Sequence, residues 1–182
     1  MKSMMEWVVI IAVAFVLSLV IRNFVIDTRI VPTGSMLPTI QLQDRLIVDR
    51  IFYKFDTFKR GDILVFEAPE SAMEDLDLVK RLIGLPGEKV EIKNGKVFIN
   101  DRPLYEPYIR ETPDYEYGPV TVPPNSYFML GDNRRESKDS HIWGFLPEDK
   151  ILGRVLVRYW PLDKIGRLTA PPEDYFAEEG EQ

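Results

Sequence analysis

The sequence predicts a mainly β protein: an antiparallel barrel-like or packed-sheet domain with a small β subdomain, preceded by one N-terminal transmembrane helix. Three observations carry this reading. An apolar run lies near the start of the chain. After Asp27, short β-branched segments alternate with turn residues. Beyond the run there is no helical period of useful length and no internal repeat.

The run from Trp7 to Ile21 reads WVVIIAVAFVLSLVI, with only Ser18 polar. As a helix it covers about 22 Å, less than the roughly 30 Å hydrocarbon core of a bilayer. Met4 and Met5 before it, and Phe24, Val25 and Ile26 after it, lengthen the apolar stretch. Glu6, Arg22 and Asn23 then fall near the interfaces, with Arg22 snorkelling. We expect a membrane anchor over residues 1–26. A cleavable signal peptide competes, since Lys2 before an apolar run has that form. Against it, Ala12-Val13-Ala14 sits inside the run and no good cleavage site follows. A buried core helix is the third reading. Charge leaves topology open: Lys2 favours a cytoplasmic start, Glu6 offsets it and Arg22 pulls the other way.

Residues 27–170 form the β-rich body. Candidate strands are 45–53, 62–66, 89–92, 96–99, 126–130 and 153–160. Asn94-Gly95 between the third and fourth predicts a tight hairpin. Pro86-Gly87 and Pro123-Pro124-Asn125 mark further turns. Residues 101–119 are rich in proline and tyrosine and read as a long loop or small excursion, which places a small β subdomain at about 92–122. The acidic residues Glu173, Asp174, Glu178, Glu179 and Glu181 make 171–182 a solvated, poorly ordered tail.

Composition excludes several classes of function. A formal charge of -6 argues against a nucleic-acid partner, which demands a basic face. The absence of cysteine removes disulfides, thiolate catalysis and cysteine-ligated zinc. With His141 the only histidine, a zinc site would need unusual ligands.

Three segments could carry chemistry. Ile30 to Thr39 lies just beyond the anchor and holds Ser35 after Gly34, between stiffening prolines. A serine in a Gly/Pro turn is commonly only a turn residue. As a nucleophile it needs a base. His141 offers one, with Asp139 two residues away on the same face of an extended strand. Lys80, among the apolar neighbours Leu78, Val79, Leu82 and Ile83, offers another. Burial disfavours an ammonium and lets a neutral lysine accept a serine proton. Lys80 also reads as an ordinary surface residue on a strand. The third segment, Gly131-Asp132-Asn133-Arg134 onward to Trp143-Gly144, reads equally as a charged surface turn. Residue chemistry alone leaves Ser35, Lys80 and His141 unranked.

Taken in order, these segments resemble the type I signal peptidase family. The likeness runs from the anchor to about Pro161. It rests on Val31-Pro32-Thr33-Gly34-Ser35-Met36, Asp44-Arg45-Leu46-Ile47-Val48, Arg60-Gly61-Asp62-Ile63, Val79-Lys80-Arg81-Leu82-Ile83-Gly84-Leu85-Pro86-Gly87-Glu88, and Gly131-Asp132-Asn133-Arg134 with Ser137, Asp139-Ser140 and Trp143-Gly144. The resemblance implies a Ser/Lys dyad, Ser35 as nucleophile and Lys80 as general base, and ranks Lys80 over His141. It implies an oxyanion hole from the Ser35 backbone N–H and the Thr33 hydroxyl, and a Ser137 hydroxyl that orients Lys80. Arg81 and Asp132 match a structural ion pair, and Asp139 a supporting acid. Val31, Met36, Ile40, Leu78 and Val79 match the walls of shallow pockets that select small residues in Ala-X-Ala sites.

The implied partners are preprotein signal peptides, bound as an added strand, and the lipid bilayer; no cofactor or metal is implied. The implied location is the cell membrane, single-pass, with the body on the extracytoplasmic side, a thylakoid membrane being the alternative. Arg135-Glu136 departs from the Asp-Asn or Asn-Asn common in the family's turn. Two other classes remain. One is a self-cleaving Ser/Lys protease of the repressor type; the other is a membrane-tethered β-domain that binds peptides without cutting them.

Overall fold

The computed structural model describes residues 2–20, 26–73, 76–168 and 175–176. Helix α1 spans Lys2–Val20. Its apolar side chains from Met4 to Leu19 are exposed. Among the described residues no helix is long and apolar enough to cross a membrane. The expected anchor includes residues 21–25, which lie outside the described residues.

The body is antiparallel β throughout. Strands β1 (Ile26–Ile30), β2 (Arg45–Asp49), β3 (Ile63–Glu67), β4 (Asp77–Gly84), β9 (Ser126–Leu130), β10 (Leu146–Pro147), β11 (Ile151–Trp160) and β12 (Gly166–Arg167) form the large sheet. Its order is β1-β2-β11-β3-β4-β9-β10, with β12 added to β11. Strands β5 (Lys89–Lys93), β6 (Lys96–Ile99), β7 (Arg102–Pro103) and β8 (Tyr117–Thr121) form a second sheet in the order β7-β6-β5-β8. The barrel expectation is corrected: among the described residues the large sheet does not close, because β1 and β10 do not pair with each other. Closure would have removed both edges.

The large sheet is covered on both faces, which is why β3 reads ILVF without polar alternation. Ile63 and Val65 pack with Val31, Met36, Ile40, Leu46 and Val48 on one face. Leu64 and Phe66 pack with Leu82, Met129, Tyr127 and Trp143 on the other. The small sheet alternates instead. Val90, Ile92, Val97 and Ile99 point inward onto Ile83, Phe128 and Leu130, which ties it to β4 and β9.

The Asn94-Gly95 hairpin joins β5 to β6, both residues at positive φ (51° and 71°), as a primed two-residue turn requires. The strand expected over 45–53 is shorter. Asp49 Oδ1 accepts from the N–H groups of Ile51 (3.0 Å) and Phe52 (2.8 Å), and this turn draws the chain into a 3₁₀ segment at Phe52–Phe55. The candidate strands read from the sequence omit β1, β4, β7, β8, β10 and β12. Asp77, Lys80 and Arg81 break the apolar pattern of β4, yet β3 and β9 pair with it on both sides. Of the expected acidic tail, only Tyr175 and Phe176 are described; Phe176 and Tyr175 pack against the small sheet's core, and Tyr105 N–H donates to Tyr175 O at 2.7 Å.

Candidate active site

The segment after β1 folds into a tight loop because its apolar residues face the core. Val31, Met36 and Ile40 are fully buried, and the N–H of Ile40 donates to Met36 O at 2.9 Å. Reciprocal bonds, Val31 N to Asp44 O (3.0 Å) and Gln43 N to Val31 O (2.8 Å), close the loop onto the start of β2. Met36 anchors its neighbour Ser35, whose side chain stays close to the large sheet rather than in solvent.

Strand β4 supplies Lys80 from the middle of that sheet, opposite Leu64 of β3. Lys80 Nζ lies 2.8 Å from Ser35 Oγ and donates to it in the charged form. It also donates to Val79 O at 3.3 Å. Lys80 is 3% exposed and Ser35 8%. Burial disfavours the ammonium, so the amine has physical reason to be neutral and to accept a proton from the hydroxyl it faces. The contact joins residues 45 positions apart in sequence.

Arg81, the next residue, points to the opposite face. Its Nε and Nη2 bind the two oxygens of Asp132 at 2.8 and 2.6 Å, and Nη1 reaches Gly61 O at 3.0 Å. Burial opposes the Arg81 charge, but the hydrogen bonds and charge of Asp132 outweigh it, and its pKa is raised. Thr39 Oγ1 donates to Asp132 at 2.5 Å, so the serine loop and the Gly-Asp-Asn turn share one carboxylate. The turn also seats Ser35 directly: Asn133 N–H donates to Ser35 O at 3.0 Å and its Nδ2 to Gly34 O at 3.1 Å.

Asp139 caps the short helix α2 (Ser140–Trp143) and accepts the Gly131 N–H at 2.9 Å. His141 Nδ1 lies 2.6 Å from Asp139 Oδ1, and its ring stacks on Tyr115 at 3.9 Å between centroids. The expectation that Asp139 and His141 pair across one strand face is corrected. They meet at a helix N-terminus, where the aspartate caps the first turn. Burial, with the charge of Asp139 adding to it, pushes the Tyr115 hydroxyl up.

Ser137 Oγ is buried beneath Gly131 and has no hydrogen-bond partner among the described residues. Thr33 is exposed beside Gly34. Of the five pocket positions, Val31, Met36 and Ile40 are sealed in the core, while Leu78 and Val79 remain half-buried. Sequence reasoning missed Thr39, Asn133 and the buried pair Arg134–Glu106. Asn133 lay within the turn it quoted. Glu106, a single carboxylate in a proline-rich loop, carried no local signal.

The pattern described as signal peptidase, peptidase S26, matches residues 4–160. The chain belongs to the signal peptidase family, peptidase S26. Signal peptidase I of Leptolyngbya laminosa is 47% identical over 176 residues, covering 94% of this chain and 87% of that one. A probable signal peptidase I-2 of Synechocystis sp. is 46% identical over 164 residues, covering 88% and 75%. A signal peptidase I crystal structure from Enterococcus faecalis V583 is 31% identical with a TM-score of 0.45, covering 54% of this chain and 97% of that one. As a member of the signal peptidase family the chain is an enzyme, a peptide-bond hydrolase of the signal peptidase I class. The buried Ser35–Lys80 contact is therefore the first place to look for its chemistry.

Proposed function

We propose that the chain is a membrane-anchored serine endopeptidase that removes signal peptides from exported preproteins after Ala-X-Ala, with a Ser35–Lys80 dyad. The observation that carries the dyad is the 2.8 Å contact between Lys80 Nζ and Ser35 Oγ, both nearly sealed from water. Neutral Lys80 takes the hydroxyl proton as Ser35 Oγ attacks the scissile carbonyl carbon. The carbonyl oxygen becomes an oxyanion, received by the Ser35 backbone N–H and the Thr33 hydroxyl. Protonated Lys80 returns the proton to the departing amine, which is the new N-terminus of the mature protein. The C–N bond breaks, leaving the signal peptide esterified to Ser35 Oγ, and water deprotonated by the now neutral Lys80 amine then releases it.

Ser137 orients Lys80 in this reading. The role rests on its match to the family serine, since its hydroxyl, buried beneath Gly131, makes no hydrogen bond among the described residues. Asp139, Arg81 and Asp132 hold the turn and β4 around the dyad, and their bonds to Gly131, Gly61 and each other fit that task. Val31, Met36 and Ile40 back the substrate cleft while Leu78 and Val79 flank it. A floor already packed solid leaves room for alanine and excludes bulk.

Domain roles follow the same division: 1–26 as anchor, 27–170 as peptidase with the small β excursion, 171–182 as tail. The exposed apolar side chains along α1 support the anchor, since a helix apolar on every side needs a nonaqueous surrounding. We place the membrane as single-pass with the body on the extracytoplasmic side.

The test uses the detergent-solubilised full chain and a preprotein with an Ala-X-Ala site, read by mass spectrometry. A single cut after the second alanine, absent with Ser35→Ala and blocked by leucine in place of either alanine, is the expected result. A cut elsewhere, or one that survives Ser35→Ala, overturns the proposal.

A further inference from the structure

The loop between β7 and β8 belongs to the small sheet, yet it reaches into the scaffold of the dyad. Glu106 takes Arg134 in a bidentate pair, Nη1 at 2.8 Å and Nη2 at 2.5 Å, with side chains 5% and 0% exposed. Tyr108 Oη donates to the same carboxylate at 2.7 Å. Burial of Arg134 opposes its charge, but Glu106 outweighs that and raises its pKa. Burial, reinforced by the charge of Glu106, raises that of Tyr108 well above the ordinary phenol range. The cluster thus holds a charged arginine and a neutral phenol across the physiological range.

Arg134 and Tyr108 each have a second contact that points at the catalytic groups. Arg134 Nε donates to Gly131 O at 3.0 Å. Gly131 is packed so closely that a Cβ there would lie 2.5 Å from Ser35 O and 2.2 Å from Ser137 Oγ. Two residues on, Asn133 N–H holds Ser35 O. The Tyr108 ring lies under the Arg81 guanidinium, 4.0 Å from Cζ to the ring centroid. Arg81 directly follows Lys80 on β4. One short segment, Glu106-Pro107-Tyr108, therefore touches the turn that seats Ser35 and the arginine beside Lys80.

We infer that Glu106 and Tyr108 are positioning residues for the reaction, acting through Arg134 and Arg81 to fix the Ser35–Lys80 separation. The inference rests on the dyad reading above. The geometry gives the two residues distinct tasks. Glu106 neutralises Arg134 and aims its Nε at Gly131 O, so that the turn stays pressed on Ser35. Tyr108 presents a negative ring face to Arg81, which leaves the guanidinium three in-plane hydrogen bonds to hold β4 against Asp132 and Gly61. The hydroxyl of Tyr108 serves Glu106, and the ring serves Arg81. The effect of the loop runs through Gly131 and Arg81, and so falls on the chemical step rather than on substrate capture. Small displacements of a reacting pair are costly: a shift near 1 Å lowers rates by about a hundredfold.

The experiment compares full-length Glu106→Gln, Tyr108→Leu and Tyr108→Phe with wild type, each shown to be folded by its near-UV dichroism. Cleavage of the same preprotein is read as separate kcat and KM across pH. Glu106→Gln and Tyr108→Leu are expected to lose about ten- to a hundredfold in kcat with KM within about twofold, while Tyr108→Phe, which keeps the ring, retains most of it. The rising limb of the kcat profile should move in the first two variants, because Lys80 no longer faces Ser35 at a fixed distance. Wild-type kcat and profile in a folded Tyr108→Leu protein would overturn the inference, as would a change confined to KM. Should Glu106→Gln not fold, the Leu/Phe pair at 108 decides alone. If wild type is active but insensitive to Ser35→Ala or Lys80→Met, the dyad reading has failed instead, and the two failures are distinguishable.

Discussion

Arg81 and Asp132 form a two-pronged pair, 2.8 and 2.6 Å, with side chains 3% and 0% exposed. The pair links β4 to the turn after β9, the two elements that bring Lys80 and Ser35 together. Such a pair is weak evidence for net stability, because desolvation offsets much of the attraction, but breaking it from one side is severe.

Asp132→Ala leaves the Arg81 guanidinium buried without its counter-charge and removes the acceptor of Thr39 Oγ1. We predict a loss of about 3–5 kcal/mol, measured by urea unfolding of the detergent-solubilised chain through tryptophan fluorescence. Asp132→Asn, which keeps the shape and one acceptor, should lose less.

Gly131→Ala introduces a methyl where the backbone of Ser35 leaves no space. Ser137 could rotate away, but Ser35 O is held by Asn133 N–H and cannot. Overpacking of this kind costs about 1–3 kcal/mol. Because the displaced carbonyl belongs to the nucleophile, cleavage should fall at least about tenfold even where the thermal midpoint moves little. Preprotein cleavage and thermal unfolding measured side by side check this.

Much of the site's framework was legible because its pieces are short and local. The Asn94-Gly95 hairpin, the strand cores at 63–66, 89–92 and 126–130, and the turn at Gly131-Asp132-Asn133 each announce themselves within a few residues. The contacts between pieces were not legible. Lys80 sits on a strand that charge interrupts, so its periodicity is lost, and only pairing with β3 and β9 makes it a buried position. Glu106 meets Arg134 across 28 residues and Tyr108 meets Arg81 across the sheet interface. A single carboxylate or ring carries no sign of such a partner in sequence. The resemblance paired Ser35 with Lys80; residue chemistry alone had left His141 level with it. His141 is instead occupied by Asp139 and Tyr115.

Tyr127 makes a pH prediction whose sign is fixed by burial. Burial first, then the charge and hydrogen bond of Glu148, pushes its hydroxyl up from 10.0 to about 12. A proton held more tightly when folded contributes stability that is complete below the unfolded value and is lost as pH rises through the folded one. Stability should therefore decline between about pH 10 and 12. Tyr53, Tyr115 and Tyr117 shift in the same direction, so Tyr127→Phe should lessen the slope without abolishing it. Urea midpoints taken below and above this window test it. The same window bounds activity assays, because an alkaline rise in rate is interpretable only where the fold holds.

The most direct test of the central claim is the pH–rate profile of preprotein cleavage by the full chain, beside Lys80→Met and His141→Ala. The wild-type rate should rise as pH increases towards the onset of unfolding, since only neutral Lys80 can take the Ser35 proton. Lys80→Met should abolish cleavage at every pH, and His141→Ala should keep the same rising limb. Cleavage that survives Lys80→Met but is lost in a folded His141→Ala protein would contradict it, and would make the histidine the base.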